Sequence, residues 1–433
     1  MPRQPLRGSV RVPADKSISH RAAIVAAIAG GDSVIRNFSA AGDCAATLRV
    51  LAALGAEIVK RLDEVRVRGR GGKALELPAV ALDCGRSGTT MRLMAGVLAA
   101  APFRSTLTGD GQLLRRPMDR VAVPLRLMGA DVDLRDGTWP PVHVQGGSLA
   151  GIEYRLPVAS AQVKSAILLA GVQASGETAV METVPARDHT ERLLARAGAC
   201  VERRNADGVA RTALREQRLG AFDISIPGDL SSAAPLLAAA AMMPGSDLTV
   251  EEIGLNPTRI GFLTALRGMG GSIETSGAPP PGGSAGVSAV QAEEPGGSVR
   301  IRHAPLRAIA IGAEEIPALI DELPLLALVA TQAEGVTEVR GAAELRVKES
   351  DRIAGLVAGL RSLGAEVEEQ EDGFTVRGPT PLRSGVVDGL ADHRLAMTFA
   401  VAGLVASGPV GVEGMGFVSD SFPGFHRVLE GLR

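Results

Sequence analysis

The 433-residue sequence has little net charge, few cysteines and no long apolar run. A formal net charge of −2 gives no support for a surface that binds nucleic acid or membranes. No run approaches the roughly 18 apolar residues of a membrane helix, and residues 1–5 lack the apolar core of a signal peptide. Cys44, Cys84 and Cys200 are far apart and lack metal-ligand spacing, so we expect buried thiols in a reducing cytoplasm.

Lysine is also scarce, since only five of the 46 basic residues are lysine. Three of them, Lys16, Lys164 and Lys348, lie in polar clusters beside apolar segments. An ammonium group is compact and changes its protonation more easily than a guanidinium, so these positions are candidates for specific roles. A GC-rich coding composition that left lysines at chance positions is the alternative explanation.

The length predicts two domains, because 433 residues exceed what one hydrophobic core supports. An amphipathic helix, a glycine turn and an alternating strand recur about every seventy residues, which indicates six copies of a β/α unit, the last cut short. The glycines that end the first five helices are predicted to adopt the left-handed conformation. They are Gly55, Gly129, Gly198, Gly270 and Gly364.

Each copy also contains a second helix that is rich in alanine and leucine and has little polar face, so we expect it to be buried. Residues 275–298 lengthen the fourth copy, contain few bulky apolar side chains and are predicted to form a surface loop. Residues 202–220 are a candidate hairpin. The buried helices are predicted at 165–173, 231–243, 324–332 and 394–406.

Short polar clusters precede or open the apolar helices. A helix start offers unpaired N–H groups that bind anions. For each cluster alone, a capped and solvated first turn is the competing explanation, and Ser350 would be the cap in the stretch 346–352. The clusters are Asp15–Arg21, Gly85–Arg92, Arg116–Pro117, Ala159–Ser165, Arg187–Glu191, Asp321–Glu322, Arg346–Arg352 and Asp392–Arg394.

Together these clusters contain more arginine and lysine than carboxylates, which suits small and strongly anionic substrates such as phosphates and carboxylates. Asp321, just ahead of an apolar helix, and Glu349 are carboxylates in settings that suit proton transfer. His20, His189 and His393 stand in separate clusters, where a single local hydrogen bond is the simplest role for each. No metal set and no cofactor fingerprint is present, so neither a metal nor an organic cofactor is expected.

Taken in order, the clusters resemble the motifs of the 5-enolpyruvylshikimate-3-phosphate synthase family of enolpyruvyl transferases. Eight motifs match in the family's order over essentially the whole chain, and the six-fold repeat agrees with them. The resemblance implies an α/β (α+β) fold, a two-lobed inside-out α/β barrel of six βαβαββ repeats with three per lobe. It implies one lobe from residues 15–229 and a second from 1–14 plus 230–433, with the active site in the cleft between them.

The resemblance also implies a reaction in the shikimate pathway to chorismate and the aromatic amino acids. The enolpyruvyl group of phosphoenolpyruvate would pass to the 5-hydroxyl of shikimate 3-phosphate by addition and elimination, with release of phosphate. No cofactor is implied. We expect a cytoplasmic monomer whose partners are the two small-molecule substrates, with no role for nucleic acid or membrane.

Carried over motif by motif, the resemblance assigns roles to individual residues. Asp321 would accept the proton of the 5-hydroxyl, and Glu349 with Lys16 would protonate and deprotonate the methylene carbon. The residues implied to bind shikimate 3-phosphate are Lys16, Ser17, Arg21, Ser160, Gln162, Arg187, Asp321 and Lys348. The residues implied to bind phosphoenolpyruvate are Lys16, Gly88, Arg116, Gln162, Arg352 and Arg394.

Three positions depart from the family pattern. Arg86 stands where Asn is usual, Ala161 replaces a Ser found in one form of the motif, and Asp420 stands where some members have a Lys. The phosphoenolpyruvate site would then lose one cation, which Arg86 is a candidate to replace. Gly88 leaves space that a larger residue would fill, so we expect inhibition by glyphosate.

Two alternatives remain open from the sequence. The related transferase that acts on UDP-N-acetylglucosamine typically carries a reactive cysteine in a mobile loop, whereas residues 114–117 of this chain contain none. A non-catalytic protein that binds anionic metabolites would need neither Asp321 nor Glu349 for acid–base chemistry. Turnover with each acceptor distinguishes the three functions.

Overall fold

The structure is a computed structural model that describes residues 4–277 and 286–433. These residues fold into two compact units, each with a hydrophobic core of its own. The middle unit comprises residues 14–226 and 286–294, and the terminal unit comprises residues 4–13, 227–277 and 295–433. Within the described ranges no helix is both long and apolar enough to cross a membrane.

Helices and strands alternate along both units, as a mixed α/β fold requires. The helices are α1 (Lys16–Ile28), α2 (Gly42–Ala53), α3 (Gly88–Leu98), α4 (Asp119–Leu127), α5 (Ala161–Gly171), α6 (His189–Arg196), α7 (Leu230–Met242), α8 (Gly261–Gly268), α9 (Ile316–Leu319), α10 (Leu323–Ala330), α11 (Arg352–Ser362), α12 (His393–Val405) and α13 (Phe425–Gly431).

The strands are short and belong to six sheets in the part of the chain that the structure describes. They are β1 (Arg7–Arg11), β2 (Gly30–Arg36), β3 (Glu57–Arg61), β4 (Glu64–Arg70), β5 (Leu82–Asp83), β6 (Arg104–Thr108), β7 (Asp131–Arg135), β8 (Trp139–Gln145), β9 (Glu153–Arg155), β10 (Glu177–Glu182), β11 (Glu202–Ala206), β12 (Val209–Arg215), β13 (Asp223–Ser225), β14 (Asp247–Gly254), β15 (Ser272–Ser276), β16 (Gly286–Ala289), β17 (Gly296–Arg302), β18 (Ala310–Ile311), β19 (Gly335–Val339), β20 (Glu366–Gln370), β21 (Gly373–Gly378), β22 (Gly385–Asp388) and β23 (Val410–Glu413).

Five of the six sheets repeat one topology and the sixth keeps part of it, which confirms the repeat predicted from the sequence. In the sheet of order β5-β6-β8-β7, β5 pairs in parallel with β6, and β6, β8 and β7 pair antiparallel in turn. The sheets β13-β2-β4-β3, β1-β14-β17-β15 and β18-β19-β21-β20 follow the same order, and β9, β10, β12 and β11 do so within a five-stranded sheet. The sixth copy keeps only the parallel pair of β22 and β23. The mixed α/β fold class is therefore confirmed.

Each predicted glycine turn has the backbone conformation that the sequence pattern indicated. All five glycines have φ between 88° and 105°, a region in which a Cβ atom would be strained. An antiparallel hairpin follows each of these turns, for example β3 and β4 after Gly55. The glycine therefore ends the helix and directs the chain into the hairpin.

The alanine- and leucine-rich helices are buried as predicted. Helices α7 and α10 are buried along their whole length, and α5 is buried from Val163 onward. Helix α12 is buried over most of its length. Because these helices have no solvent face, their first turns are the points at which polar side chains concentrate.

Two expectations are corrected by the structure. The prediction of a plain surface loop at 275–298 is wrong at both ends, where residues 275–276 belong to β15 and residues 296–298 belong to β17. It is also wrong for residues 286–289, which form β16 and pair antiparallel with β11 in the middle unit. Residues 278–285 of that prediction lie outside the described residues. Cys44 and Cys84 are buried free thiols, but Cys200 is exposed. Cys200 lies between α6 and β11, where the chain returns to the surface. The candidate hairpin at 202–220 is confirmed as β11 and β12.

Candidate active site

In the middle unit, four helix N-termini carry the residues that the motifs singled out. Lys16 and Ser17 open α1, Gly88 opens α3, Gln162 is the second residue of α5, and Arg187 precedes α6 by two residues. Asp15 caps α1 by accepting a hydrogen bond from Ile18 N–H at 2.8 Å. The remaining N–H groups of these first turns favour anions nearby.

Arg21 joins three of these elements. Its Nε donates to Thr190 Oγ1 at 2.9 Å, its Nη2 donates to Ser165 Oγ at 3.0 Å, and its Nη1 donates to the carbonyl of Ser17 at 3.0 Å. The side chain is almost fully buried. Burial and the positive charge of Arg187 lower the pKa of Arg21 to about 10, so the two guanidinium groups repel each other in the absence of an anion.

Gln162 and Gly88 belong to a second group of contacts in the middle unit. Arg92 Nη1 donates to Gln162 Oε1 at 2.8 Å, and Arg92 Nη2 donates to the carbonyl of Pro117 at 3.0 Å. A Cβ atom added at Gly88 would lie 2.9 Å from Arg92 Nη1 and 3.0 Å from Arg116 Nη1. Gly88 therefore allows two guanidinium groups to approach the start of α3 closely.

The serine of the α5 motif is engaged in the helix itself. Ser160 is the N-cap of α5, and its Oγ accepts from Val163 N–H at 3.4 Å. Ala161, where the family's other form has a second serine, is the first residue of the helix and is half-buried. Ser160 keeps its hydroxyl proton free to donate to a ligand while its oxygen caps the helix.

Arg86, the first departure from the family pattern, is held by the following loop. Its Nε donates to Gln112 Oε1 at 3.1 Å and lies 3.6 Å from Asp110 Oδ2. Asp110 offsets part of its charge, so Arg86 is a weaker source of positive potential than the sequence alone suggests. That Arg86 replaces, in the phosphoenolpyruvate site, the lysine that some family members have at the position of Asp420 stays a prediction.

In the terminal unit, Arg352 is the centre of the candidate site. The side chain is 2% exposed, Nε donates to Asp392 Oδ2 at 2.7 Å, and Nη2 donates to Glu349 Oε2 at 2.6 Å. Its Nη1 lies 3.5 Å from Asp321 Oδ1. Burial opposes the charge, but the three carboxylates more than offset burial and raise the pKa of Arg352. The guanidinium is thus fixed in place and permanently charged.

Arg394 lies next to the same carboxylates at the start of α12. Its Nη2 lies 3.9 Å from Asp321 Oδ2, and its Nη1 lies 3.6 Å from Glu322 Oε1. Asp321 is therefore shared between Arg352 and Arg394. The structure brings together four of the five predicted residues of this unit in direct contacts.

Lys348, the fifth, lies beside this group. Burial lowers the pKa of the Lys348 ammonium, and the charges of Asp321 and Glu344 oppose that shift. A lysine with a lowered pKa gives up its proton more easily than an exposed one. Lys348 is therefore electrostatically coupled to Asp321, as residues around one substrate would be.

The stretch 346–352 is divided between two roles, and the expected cap is wrong. Asp351, not Ser350, caps α11 by accepting from Ile353 N–H and Ala354 N–H at 3.1 Å and 3.0 Å. Ser350 Oγ instead donates to Asp392 Oδ2 at 3.1 Å. The second oxygen of Asp351 accepts from Arg346 Nη1 at 2.9 Å. The solvated-turn explanation therefore fits Arg346 and Asp351 only.

The histidines belong to separate contacts. His20 Nδ1 lies 2.6 Å from Thr47 Oγ1, which lies 2.7 Å from Thr90 Oγ1, so a buried chain of hydrogen bonds joins α1, α2 and α3. Burial, with Arg21 and Lys16, lowers the pKa of His20 to about 3, which keeps the ring neutral. His189 Nδ1 lies 2.8 Å from Glu294 Oε1, a partner from the inserted segment. Among the described residues no three His, Cys, Asp or Glu side chains group as a metal site would require.

Sequence reasoning missed several residues of the site. Asp392 lies in one of the sequence motifs without a predicted role, although it accepts a hydrogen bond from Arg352 Nε at 2.7 Å. Arg92 and Glu322 likewise have no predicted role. An acidic residue directly before a helix is a detectable signal for Asp392, because such a residue caps the helix and then has one oxygen left. For Arg92 no signal in the sequence shows that Gln162, 70 residues away, is its partner.

Comparison with known proteins gives one consistent result. A sequence model of the family described as EPSP synthase (3-phosphoshikimate 1-carboxyvinyltransferase) matches residues 1–429. The 3-phosphoshikimate 1-carboxyvinyltransferase of Desulforudis audaxviator is 48% identical over 434 residues, covering 100% of this chain and 98% of the relative. The protein of the same name from Pelotomaculum thermopropionicum is 49% identical over 427 residues, covering 98% of this chain and 96% of the relative.

The structural comparison agrees. The EPSP synthase of Acinetobacter baumannii superposes with a TM-score of 0.85 at 40% identity, covering 99% of this chain and 96% of that chain. The matches in sequence and in structure both extend over nearly the whole length, which a shared fold alone would not produce at this identity. The chain therefore belongs to the EPSP synthase (3-phosphoshikimate 1-carboxyvinyltransferase) family.

Proposed function

We propose that this protein transfers the enolpyruvyl group of phosphoenolpyruvate to the 5-hydroxyl of shikimate 3-phosphate and releases phosphate. The product would serve the shikimate pathway to chorismate and the aromatic amino acids. The observation that carries the proposal is the arrangement around Arg352, where Asp321 and Glu349 contact different nitrogens of one buried guanidinium. Family membership supports the choice of substrates.

Two carboxylates beside fixed cations suit a reaction with two proton transfers. In the addition step, Asp321 would accept the proton of the 5-hydroxyl as its oxygen bonds to C2 of phosphoenolpyruvate. Glu349, with Lys16, would deliver a proton to C3, which converts the methylene to a methyl group. In the elimination step, the C2–O bond to phosphate breaks and the same group removes a proton from C3.

The cations would bind the two anionic substrates and stabilise the charge that develops between them. Arg352 and Arg394, with Gly88, Arg116 and Lys16, are proposed for phosphoenolpyruvate. Because Arg352 is held by carboxylates before any substrate arrives, no reorganisation is required at the moment of reaction. Such preorganised electrostatics is usually the largest catalytic term.

Residues of the middle unit are proposed to bind shikimate 3-phosphate. Arg21 and Arg187 carry like charges close together, an arrangement that a phosphate group would stabilise. The other proposed binding residues are Lys16, Ser17, Ser160 and Gln162 of the middle unit and Asp321 and Lys348 of the terminal unit. Gln162 is proposed to touch both substrates.

We also propose that the middle and terminal units are the two lobes of the family, with three repeats each. The three sheets in each unit support this division. A monomeric state and a cytoplasmic location remain proposals. The free thiols Cys44, Cys84 and Cys200 support the latter.

The test is phosphate release by the purified protein from phosphoenolpyruvate plus shikimate 3-phosphate, with UDP-N-acetylglucosamine as the parallel acceptor. Asp321→Ala and Glu349→Gln should each lower kcat by roughly 10²- to 10⁴-fold, the usual contribution of a general acid or base. The control is Asp247→Asn, an exposed carboxylate of the terminal unit paired with Arg300, which should keep full turnover.

The outcomes separate the candidate functions. Release with UDP-N-acetylglucosamine and none with shikimate 3-phosphate would assign the chain to the related transferase. Binding of both substrates without turnover would favour a non-catalytic binding protein. Full turnover in Asp321→Ala or Glu349→Gln would remove that residue from the proposed mechanism.

A further inference from the structure

Lys164 is a buried lysine that the proposed reaction does not use. It lies in α5, its side chain is 0% exposed, and its Nζ lies 2.9 Å from Glu182 Oε2 and 2.8 Å from Glu191 Oε1. Both carboxylate side chains are 1% exposed. Burying three charged groups is costly, and replacing such a group by apolar residues is often neutral or stabilising. Stability alone is therefore a poor explanation for this triad.

The triad holds one backbone residue from both sides. Ala186 N–H donates to Glu182 Oε1 at 2.9 Å, and the carbonyl of Ala186 accepts from Lys164 Nζ at 3.1 Å. Ala186 is buried and lies in the connection between β10, which ends at Glu182, and α6, which begins at His189. Side chains of the triad, and not a regular element, therefore set the backbone at this point.

The residue that follows Ala186 is Arg187. Arg187 lies near Arg21, and the repulsion between the two guanidinium groups contributes to the lowered pKa of Arg21. Because like charges repel, a restraint on the backbone beside Arg187 helps to keep its guanidinium near Arg21. The two bonds to Ala186 provide that restraint one residue away.

Lys164 also joins this connection to the rest of the proposed shikimate 3-phosphate site. It belongs to the same helix as Gln162 and Ser165, and Ser165 Oγ accepts from Arg21 Nη2 at 3.0 Å. A single ammonium group therefore links the helix that positions Arg21 to the backbone that presents Arg187.

We propose that Lys164, Glu182 and Glu191 form a positioning triad that fixes Arg187 for the 3-phosphate of shikimate 3-phosphate. None of the three would touch the substrate. This inference rests on the proposed function, since it requires that Arg187 binds shikimate 3-phosphate. It explains why the sequence keeps a lysine here although it uses arginine at most basic positions.

The first experiment replaces the triad by apolar residues of similar size, Lys164→Met with Glu182→Leu and Glu191→Leu. Because no unpaired charge remains, the variant should fold. We expect the KM for shikimate 3-phosphate to rise at least about tenfold, because small displacements of a binding group have effects of that size or larger. The KM for phosphoenolpyruvate should change less than about twofold, because Gly88 opens α3 and Arg116 precedes α4, whereas the triad restrains the connection to α6.

A double-mutant cycle with Arg187→Ala then identifies the route of the effect. If the triad acts through Arg187, the triad replacement should raise the KM for shikimate 3-phosphate by less than about twofold in the Arg187→Ala background. Glu182→Gln, which keeps an acceptor for Ala186 N–H but no charge for Lys164, should cause a smaller rise in the same KM only. This variant tests the proposal even if the triple variant does not fold.

Leu168→Ala, at a fully buried position of α5, is the matched control for a merely structural role. It should lower Tm and leave the ratio of the two KM values unchanged. Equal changes in both KM values for the triad variants, or effects that add to those of Arg187→Ala, would overturn the proposal. If Arg187→Ala turns over like wild type, the assignment of Arg187 is overturned. If the wild type itself shows no turnover, the proposed function is overturned.

Discussion

Asp392→Asn tests whether buried electrostatics organise the terminal part of the site. The Asp392 side chain is 0% exposed, and it bonds Arg352 Nε at 2.7 Å and Nη2 at 3.3 Å. Removing one partner of a buried ion pair costs about 3–5 kcal/mol. Arg352 keeps Glu349 at 2.6 Å, so we expect the lower end, about 3 kcal/mol. Asn retains an oxygen that caps α12, which leaves the helix start intact.

The measurement is the thermal unfolding of the full chain by calorimetry, together with the KM for phosphoenolpyruvate. At roughly 2–4 °C per kcal/mol for a unit of 150–250 residues, Tm should fall by about 6–12 °C. The KM should rise because Arg352 is less firmly placed. The control is again Asp247→Asn, whose bond to Arg300 at 2.8 Å has similar geometry but is exposed, so its Tm should stay near wild type. Equal Tm values for Asp392→Asn and Asp247→Asn would refute the reasoning.

Three further predictions concern single side chains. Burial is the main cause that lowers the folded-state pKa of Lys348 below its ordinary value of 10.5. Between the folded and the unfolded pKa the unfolded state binds more protons, so stability should rise as the pH increases toward 10.5. Urea unfolding of wild type and Lys348→Met at several pH values should show a weaker dependence of stability on pH for the variant. His20 has a pKa of about 3 in the folded protein and 6.5 in the unfolded chain. The free energy of unfolding should therefore be highest above pH 6.5 and fall by about 1.4 kcal/mol per pH unit toward pH 3. The same urea unfolding of His20→Gln should not show this slope. Gly88→Ala places a Cβ 3.0 Å from Arg116 Nη1, so the KM for phosphoenolpyruvate should rise roughly tenfold and inhibition by glyphosate should weaken. An unchanged KM together with unchanged glyphosate inhibition would show that Arg116 moves aside without cost.

Local features of the fold were predictable because their causes lie within a few residues. A glycine after an amphipathic helix needs no distant partner to adopt φ near 90°, as at Gly55. Apolar residues on all sides of a helix predict burial whatever covers it, as in α7 and α10. Strand β16 escaped prediction because its pairing partner, β11, lies some eighty residues earlier in the chain. Only the partner, not the composition of the segment, makes it a strand.

The candidate site likewise has features that the sequence predicts and contacts that only the tertiary structure sets. By itself the sequence determined the repeat, the buried helices and the residue types at their first turns, since periodicity and capping are local properties. Only the tertiary structure decided which of these residues touch. Arg352 bonds Asp392 from 40 residues away, and Arg21 bonds Thr190 from 169 residues away. Lys164 meets carboxylates from two other elements. A hydrogen bond depends on distance in space, and the fold alone sets that distance between residues so far apart in the chain.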